Sequence, residues 1–366
     1  MTDTIDVLKD LVALKTTPKA PDTDTKAYLE NWAKQHNVLL KSLYNEKTQK
    51  HSFLIGVNIP DFKGATADIL LSGHIDTVEA SPSFWQTNPF EATEKEGCLF
   101  GLGCVDMKAF IAVCLARIQD IQKLNKRVIL AISADEETTS YGILDIIKFL
   151  KQEQVSVNKA LVGEPTNQKL GLFNNGYLGF TTKITGLSCH SSMPHLGINA
   201  LYIGARLITF IEQLHKLYES SGITLNVGIF AGGKGRNLVA ERANVDFEIR
   251  YQNEAKKDLL LKEIHTFHTA LEKEYPMAKV KLIEKENLPL FKQEESPFTQ
   301  LVAEVFEATP CDLAYASEAG FFKRLGADTV VIGAGDELLA HKNNEYIRIS
   351  DILDYQKKLL RLLERI

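Results

Sequence analysis

The sequence predicts an α/β protein interrupted by an inserted α+β domain, and three observations carry that reading. Short β-branched apolar runs alternate with helical periods through the first half of its 366 residues. The same alternation returns near the C-terminus. Between them lies a stretch whose order is strand, helix, two strands, helix, strand. Strands interleaved with helices specify a sheet covered on both faces. The middle order is that of a split βαβ, ferredoxin-like unit.

Element by element, the runs Ser52–Ile59, Asp68–Gly73, Arg127–Ala134 and Lys159–Gly163 are strands by length and composition. Helical periods cover Ile5–Leu14, Thr25–Gln35, Lys108–Asn125 and Ser140–Gln154. In the middle, Gly179–Thr185 is a strand and Asn199–Glu219 a long amphipathic helix. Strands Thr224–Ala231 and Ala243–Tyr251 follow, joined through GGKGRN, then a helix over Glu254–Glu274 and a strand over Ala278–Lys285. Helices at Pro297–Ala308 and Ser317–Leu325, a strand at Asp328–Ile332 and a helix over Ser350–Ile366 complete the chain. The host domain is thus residues 1–173 with 286–366, and the insert residues 174–285.

Composition narrows the function. With 42 basic against 47 acidic residues the net charge is −5, so no global basic field exists to hold nucleic acid or anionic lipid. MTDTIDVLKDLVALKTT carries acids and lysines throughout and lacks the apolar core of a signal peptide, and no stretch is long and apolar enough to span a membrane. Five scattered cysteines, never spaced C-x-x-C, argue against a disulfide framework or a thiolate zinc site. A cytoplasmic protein is expected.

The chemistry gathers at strand ends. ADILLSGHID ends in His74 and Asp76, and Asp106 follows GLGCV. RVILAISADEE ends in Asp135, Glu136 and Glu137, KALVGEP carries Glu164, and DTVVIGAGDELLAH leads to His341. Ligands of open α/β sheets bind beyond the carboxyl ends of the strands, so these side chains converge. Each alone has an ordinary reading: Asp106 as a helix N-cap, the paired glutamates as a solvated helical turn. Together, so many acids at one sheet edge would repel each other unless cations compensate them. Two histidines with several carboxylates form the ligand set of zinc, cobalt or manganese in catalytic sites. Other motifs fail. GLGCVD lacks the third glycine of a dinucleotide fingerprint, GGKGR lacks the Ser or Thr of a phosphate loop, and there is no G-x-S-x-G.

The motifs, taken together, resemble the di-metal amidohydrolase and peptidase family that includes acetylornithine deacetylase, succinyl-diaminopimelate desuccinylase and carboxypeptidase G-type enzymes. They are SGHIDTV at Ser72–Val78, GLGCVDMK at Gly101–Lys108, SADEE at Ser133–Glu137, GEPT at Gly163–Thr166, GLSCHSSMPHLGINA at Gly186–Ala200 and Ala340–His341. The resemblance implies a metallopeptidase-like catalytic sheet flanked by helices, with the insert serving as a dimerisation and lid domain. It implies two divalent ions, zinc or cobalt. Asp106 would bridge them, with His74 and Glu164 completing one ligand set and Glu137 and His341 the other. Glu136 matches the general base, and Asp76 the carboxylate that orients His74. His190 matches a histidine delivered from the neighbouring subunit of a homodimer to the reacting carbonyl. Arg250 and Asn237 match positions near the substrate carboxylate.

The implied reaction is hydrolysis of an N-acyl amino acid. SEAGFF at Ser317–Phe322 and GAGDELLAHKNNEY at Gly333–Tyr346 are most similar to segments of the family's N-acetylornithine-hydrolysing branch, which belongs to arginine biosynthesis. N-acetylcitrulline and N-succinyl-diaminopimelate are the alternative substrates, and a broader aminoacylase or dipeptidase the alternative activity. A non-catalytic binding protein on a hydrolase fold is a further reading, opposed by the retention of Glu136 beside a full ligand set.

Overall fold

The computed structural model describes residues 3–366. The chain forms two compact units, one of the described residues up to Asn174 with Phe291–Ile366, the other of Asn175–Leu290. The first is the α/β body. Its sheet runs in the order Leu39–Asn45, Lys50–Val57, Val128–Ser133, Ile69–His74, Lys159–Val162, Asp328–Val331, Leu170–Asn174, Phe291–Lys292, and Pro310–Leu313 also pairs with Leu170–Asn174. The four strands from Val128–Ser133 to Asp328–Val331 are mutually parallel, so their carboxyl ends share one rim. Antiparallel strands flank them on both sides.

All six residues of Ile69–His74 and of Val128–Ser133 are buried, as strands covered on both faces must be. The helix Ala109–Ala116 is apolar around its whole circumference and buried throughout. Its Phe110 ring presses on the two strand ends that matter most. A Cβ at Gly73 would lie 2.9 Å from the ring, and one at Gly163 only 2.1 Å away, so glycine alone fits immediately before His74 and Glu164.

The single helix expected over Lys108–Asn125 is instead two, Ala109–Ala116 and Ile118–Lys123, broken at Arg117. The segment before them, Cys104–Lys108, is a wide turn in which Asp106 leaves helical geometry. Asp106 is therefore no N-cap; Lys108 occupies that position, without a side-chain cap bond. Five short strands carry no alternation that periodicity could read: Leu39–Asn45, Leu170–Asn174, Pro310–Leu313, Thr93–Lys95 and Cys98–Phe100.

The second unit is a four-stranded antiparallel sheet ordered Ile223–Gly232, Arg242–Tyr251, Gly176–Thr185, Lys279–Leu288. The helices Ala200–Tyr218 and Glu254–Glu274 cover it, and Ile203, Leu207, Ile211 and Leu214 meet Phe180, Val245 and Ile249 in a separate core. This is the expected split βαβ order. Leu201 and Ile208, which periodicity leaves over on the first helix, are half-buried against the same core.

Candidate metal centre

Four parallel strands deliver the site. His74 closes Ile69–His74; Glu136 and Glu137 follow Val128–Ser133; Glu164 follows Lys159–Val162; and the chain beyond Asp328–Val331 reaches His341. Asp106 arrives from the turn beneath Ala109–Ala116. Its Oδ1 lies 3.0 Å from His74 Nε2 and its Oδ2 3.3 Å from His341 Nε2. Two ligand groups result, His74–Asp106–Glu164 and Asp106–Glu137–His341, each with its donor atoms within 4.8 Å of one another. Asp106 belongs to both. His341 Nε2 is also 2.9 Å from Glu137 Oε1.

The electrostatics ask for cations. Burial drives Glu136 and Glu164 well above the usual carboxylate range; His74 opposes this for both, while neighbouring carboxylates reinforce it. Burial also disfavours the Asp106 carboxylate, but hydrogen bonds from His341 and His74 outweigh it and hold Asp106 low. Hydrogen bonds to Asp106 and Glu137 raise His341 to about 10. Three carboxylates and two imidazoles, with no thiolate, fit two hard-to-borderline divalent ions.

The surrounding side chains orient the ligands. His74 Nδ1 lies 3.0 Å from the Asp76 carbonyl, which only accepts, so Nδ1 carries a proton and Nε2 is the ligating nitrogen. The Asp76 carboxylate, 3.6 Å from Nδ1, instead accepts from the N–H groups of Glu136 at 3.1 Å and Glu137 at 3.0 Å. Asp135, in left-handed backbone, accepts from the hydroxyls of Thr138 and Thr139 and braces the same turn. Glu318 is buried and accepts from Ser72 Oγ at 3.1 Å.

His74, Asp106, Glu137, Glu164 and His341 line a cavity of about 210 Å3 with Pro165, Tyr315, Ala316, Glu337 and Ala340. Glu136 lines it too, in neither ligand group. Sequence reasoning assigned no role to Asp135, Tyr315, Glu318, Glu337 or Glu345. Glu318 and Glu345 stand inside segments that carry the resemblance, yet spacing cannot reveal that a carboxylate will be buried.

The second unit holds the other three candidates. His190 is exposed, its Nδ1 2.8 Å from Ser192 Oγ, and it bridges to Leu238 in the loop that carries Asn237. Ser191 N–H donates to the Asn237 carbonyl at 3.1 Å, so His190 and Asn237 are neighbours. Arg250 is elsewhere. It lies over the Tyr177 ring at 5.2 Å, with Nε 3.1 Å from Glu248 Oε1. The loop begins before Arg242 at the opposite end of the Arg242–Tyr251 strand, roughly 27 Å from Arg250 at the strand rise per residue.

Residues 70–365 match the model of peptidase family M20/M25/M40. The chain is 28% identical to an acetylornithine deacetylase of Buchnera aphidicola, the match covering 93% of this chain and 94% of the relative. It is 30% identical to one of Pasteurella multocida, over 80% and 78% respectively. An M20 family metallo-carboxypeptidase from Sulfolobus solfataricus superposes with TM-score 0.76 at 17% identity, covering 100% of both chains. A Bacillus subtilis protein described as a dinuclear metal-binding peptidase of the M20 family gives TM-score 0.65 at 12% identity, covering 99% of this chain and 97% of its own.

Proposed function

This chain belongs to peptidase family M20/M25/M40, and on that premise we propose that it hydrolyses an N-acyl amino acid, N-acetyl-L-ornithine, to L-ornithine and acetate. Membership makes it a metal-dependent hydrolase of linear amides. The observation that carries the reading is Asp106, turning one carboxylate oxygen to each histidine, with Glu136 beside it in the cavity but in neither ligand group.

His74, Asp106 and Glu164 would hold one ion and Asp106, Glu137 and His341 the other, zinc or cobalt by donor type. Such a pair, when bound, would supply Lewis acidity toward the amide carbonyl and lower the pKa of a water it holds toward about 7. Glu136 does the proton work. It takes a proton from the attacking water and returns it to the departing amine nitrogen as the C–N bond breaks. Adjacent glutamates divide the labour, Glu137 holding metal and Glu136 staying free.

Glu337 supports a cationic substrate. Among the described residues lining the cavity, it is the charged group left over once the ligands and Glu136 are assigned. Its carboxylate would attract the δ-ammonium of N-acetylornithine, gain little from the neutral ureido group of N-acetylcitrulline, and repel a succinyl carboxylate.

The insert supports a homodimer in which His190 reaches the partner's site and steadies the carbonyl oxygen. His190 and Asn237 lie too far from Arg250 for one chain to present all three to one small substrate. The edge strand Ile223–Gly232 pairs on one side only and exposes Ile229 and Phe230, with Tyr202 exposed on the neighbouring helix, which a second copy would cover. The five cysteines are free, in keeping with a reducing cytoplasm, and arginine biosynthesis is the matching pathway. No helix among the described residues is long and apolar enough to cross a membrane.

The test is kcat/KM for the metal-loaded enzyme on N-acetylornithine, N-acetylcitrulline, N-succinyl-diaminopimelate and a set of dipeptides. N-acetylornithine should lead. A clear preference for another member would reject the substrate while leaving the family and the chemistry in place.

A further inference from the structure

Glu345 is a carboxyl side chain that the proposed chemistry does not use, and it is only 2% exposed. Its Oε2 accepts from Gly103 N–H at 2.9 Å, and its Oε1 from Val105 N–H at 2.7 Å and Asp106 N–H at 3.2 Å. Its own carbonyl accepts from Gly101 N–H at 3.1 Å, and Tyr346–Arg348 continues the contact as a strand paired with Cys98–Phe100. One residue thus gathers four N–H groups of the segment from Gly101 to Asp106, which leads into the turn that presents Asp106.

The turn has little freedom on its other side. Gly103 has φ +77°, and a Cβ there would stand 2.6 Å from Thr77 Cγ2, so the loop already touches the His74–Thr77 segment. Nζ of the buried Lys108 donates to the carbonyls of Leu11 at 2.9 Å and Leu14 at 3.0 Å, leaving peptide N–H groups as the direct donors to Glu345. A carboxylate held by several N–H groups makes charge-assisted bonds, stronger than neutral ones. Glu345 also sits four residues after His341. It therefore ties the segment carrying His341 to the one carrying Asp106, whose facing atoms are 3.3 Å apart.

We propose that Glu345 is the positioning residue of the metal centre: by clamping the backbone N–H groups of Gly103, Val105 and Asp106, it fixes the shared ligand Asp106 relative to His341 and so sets metal affinity. The proposal rests on the reading of Asp106 as the shared ligand. Outer partners that orient metal ligands typically contribute about 10- to 100-fold to affinity. Truncation to alanine removes every acceptor. Glu345→Gln keeps an oxygen able to accept from Val105 and Asp106 but turns an amide N–H toward the N–H of Gly103, so it restores only part of the clamp.

The experiment titrates metal-free protein with Co2+ by calorimetry and follows the visible absorption of the bound ion, after circular dichroism has verified that each apoprotein is folded. Wild type should bind two ions; failure to do so would reject the shared-ligand reading itself. Glu345→Ala should bind about 10- to 100-fold more weakly with an altered cobalt spectrum, and Glu345→Gln should fall between it and wild type. Wild-type affinity and spectrum in a folded Glu345→Ala would overturn the proposal, reducing the clamp to fold stability. If the alanine variant does not fold, Glu345→Gln decides: weaker cobalt binding supports the proposal, and unchanged binding overturns it.

Discussion

The Asp76 carboxylate accepts the backbone N–H of Glu136 at 3.1 Å, so a residue expected to orient a histidine also braces the adjacent acids. The neighbouring Glu137 N–H reaches the other Asp76 oxygen at 3.0 Å, while the His74 ring is served by the Asp76 carbonyl. Asp76→Ala should therefore lower kcat about 10- to 100-fold, the usual effect of losing such a partner. Metal titration should show weaker binding at the group containing Glu137, with the His74 group less affected. Loss confined to the His74 group would mean the carboxylate acts on the ring after all.

Glu337 gives a selectivity prediction. It is exposed, and an exposed ion pair contributes about 0.2–1 kcal/mol, so Glu337→Gln should reduce the preference for N-acetylornithine over N-acetylcitrulline by up to about fivefold. Glu337→Lys should reduce it further. The ratio of kcat/KM values is the readout, because a general loss of activity leaves it unchanged.

The cross-subunit role of His190 can be tested by complementation. Glu136→Gln and His190→Ala are each expected to be inactive alone. Mixed and reassembled, half the dimers are hybrids with one intact site of two, so about a quarter of wild-type activity should return. Verified subunit exchange with no recovery would show that the histidine does not cross.

A pH effect should arise in the insert, away from the metal centre. His268 is buried, with Nδ1 2.8 Å from the Ile264 carbonyl and Nε2 2.9 Å from Thr182 Oγ1. Burial holds this imidazole below its ordinary value of 6.5. The unfolded chain then takes up a proton near pH 6.5 that the folded one refuses. Stability is full above that pH and falls as pH drops toward the folded value, by at most about 1.4 kcal/mol per unit. Thermal melts from pH 7.5 to 5 should fall more steeply for wild type than for His268→Leu.

The strand-end residues were legible because two periodicities meet there: a buried apolar run stops and a polar side chain must begin. His74, Glu164 and the Asp135–Glu137 turn were therefore found with the strands that carry them. The wide turn at Cys104–Lys108 was not, because its geometry depends on Glu345, which lies 239 residues beyond Asp106. Nor could periodicity read the break at Arg117, since Ala109–Ala116 is buried on every side and shows no polar face. Some short strands were missed for a related reason. Leu170–Asn174 alternates too little to register and is a strand because Asp328–Val331, Pro310–Leu313 and Phe291–Lys292 pair with it.

The most direct test of the central claim compares metal content and turnover in Glu136→Gln and Glu137→Gln. Both side chains line one cavity, but only Glu137 belongs to a ligand group. Glu136→Gln should fold, hold two ions per chain and lose about 100- to 10,000-fold in kcat, since only proton transfer is removed. Glu137→Gln should lose one ion. The reverse pattern, with Glu136→Gln short of metal and Glu137→Gln fully loaded, would contradict the assignment of base and ligand on which the account stands.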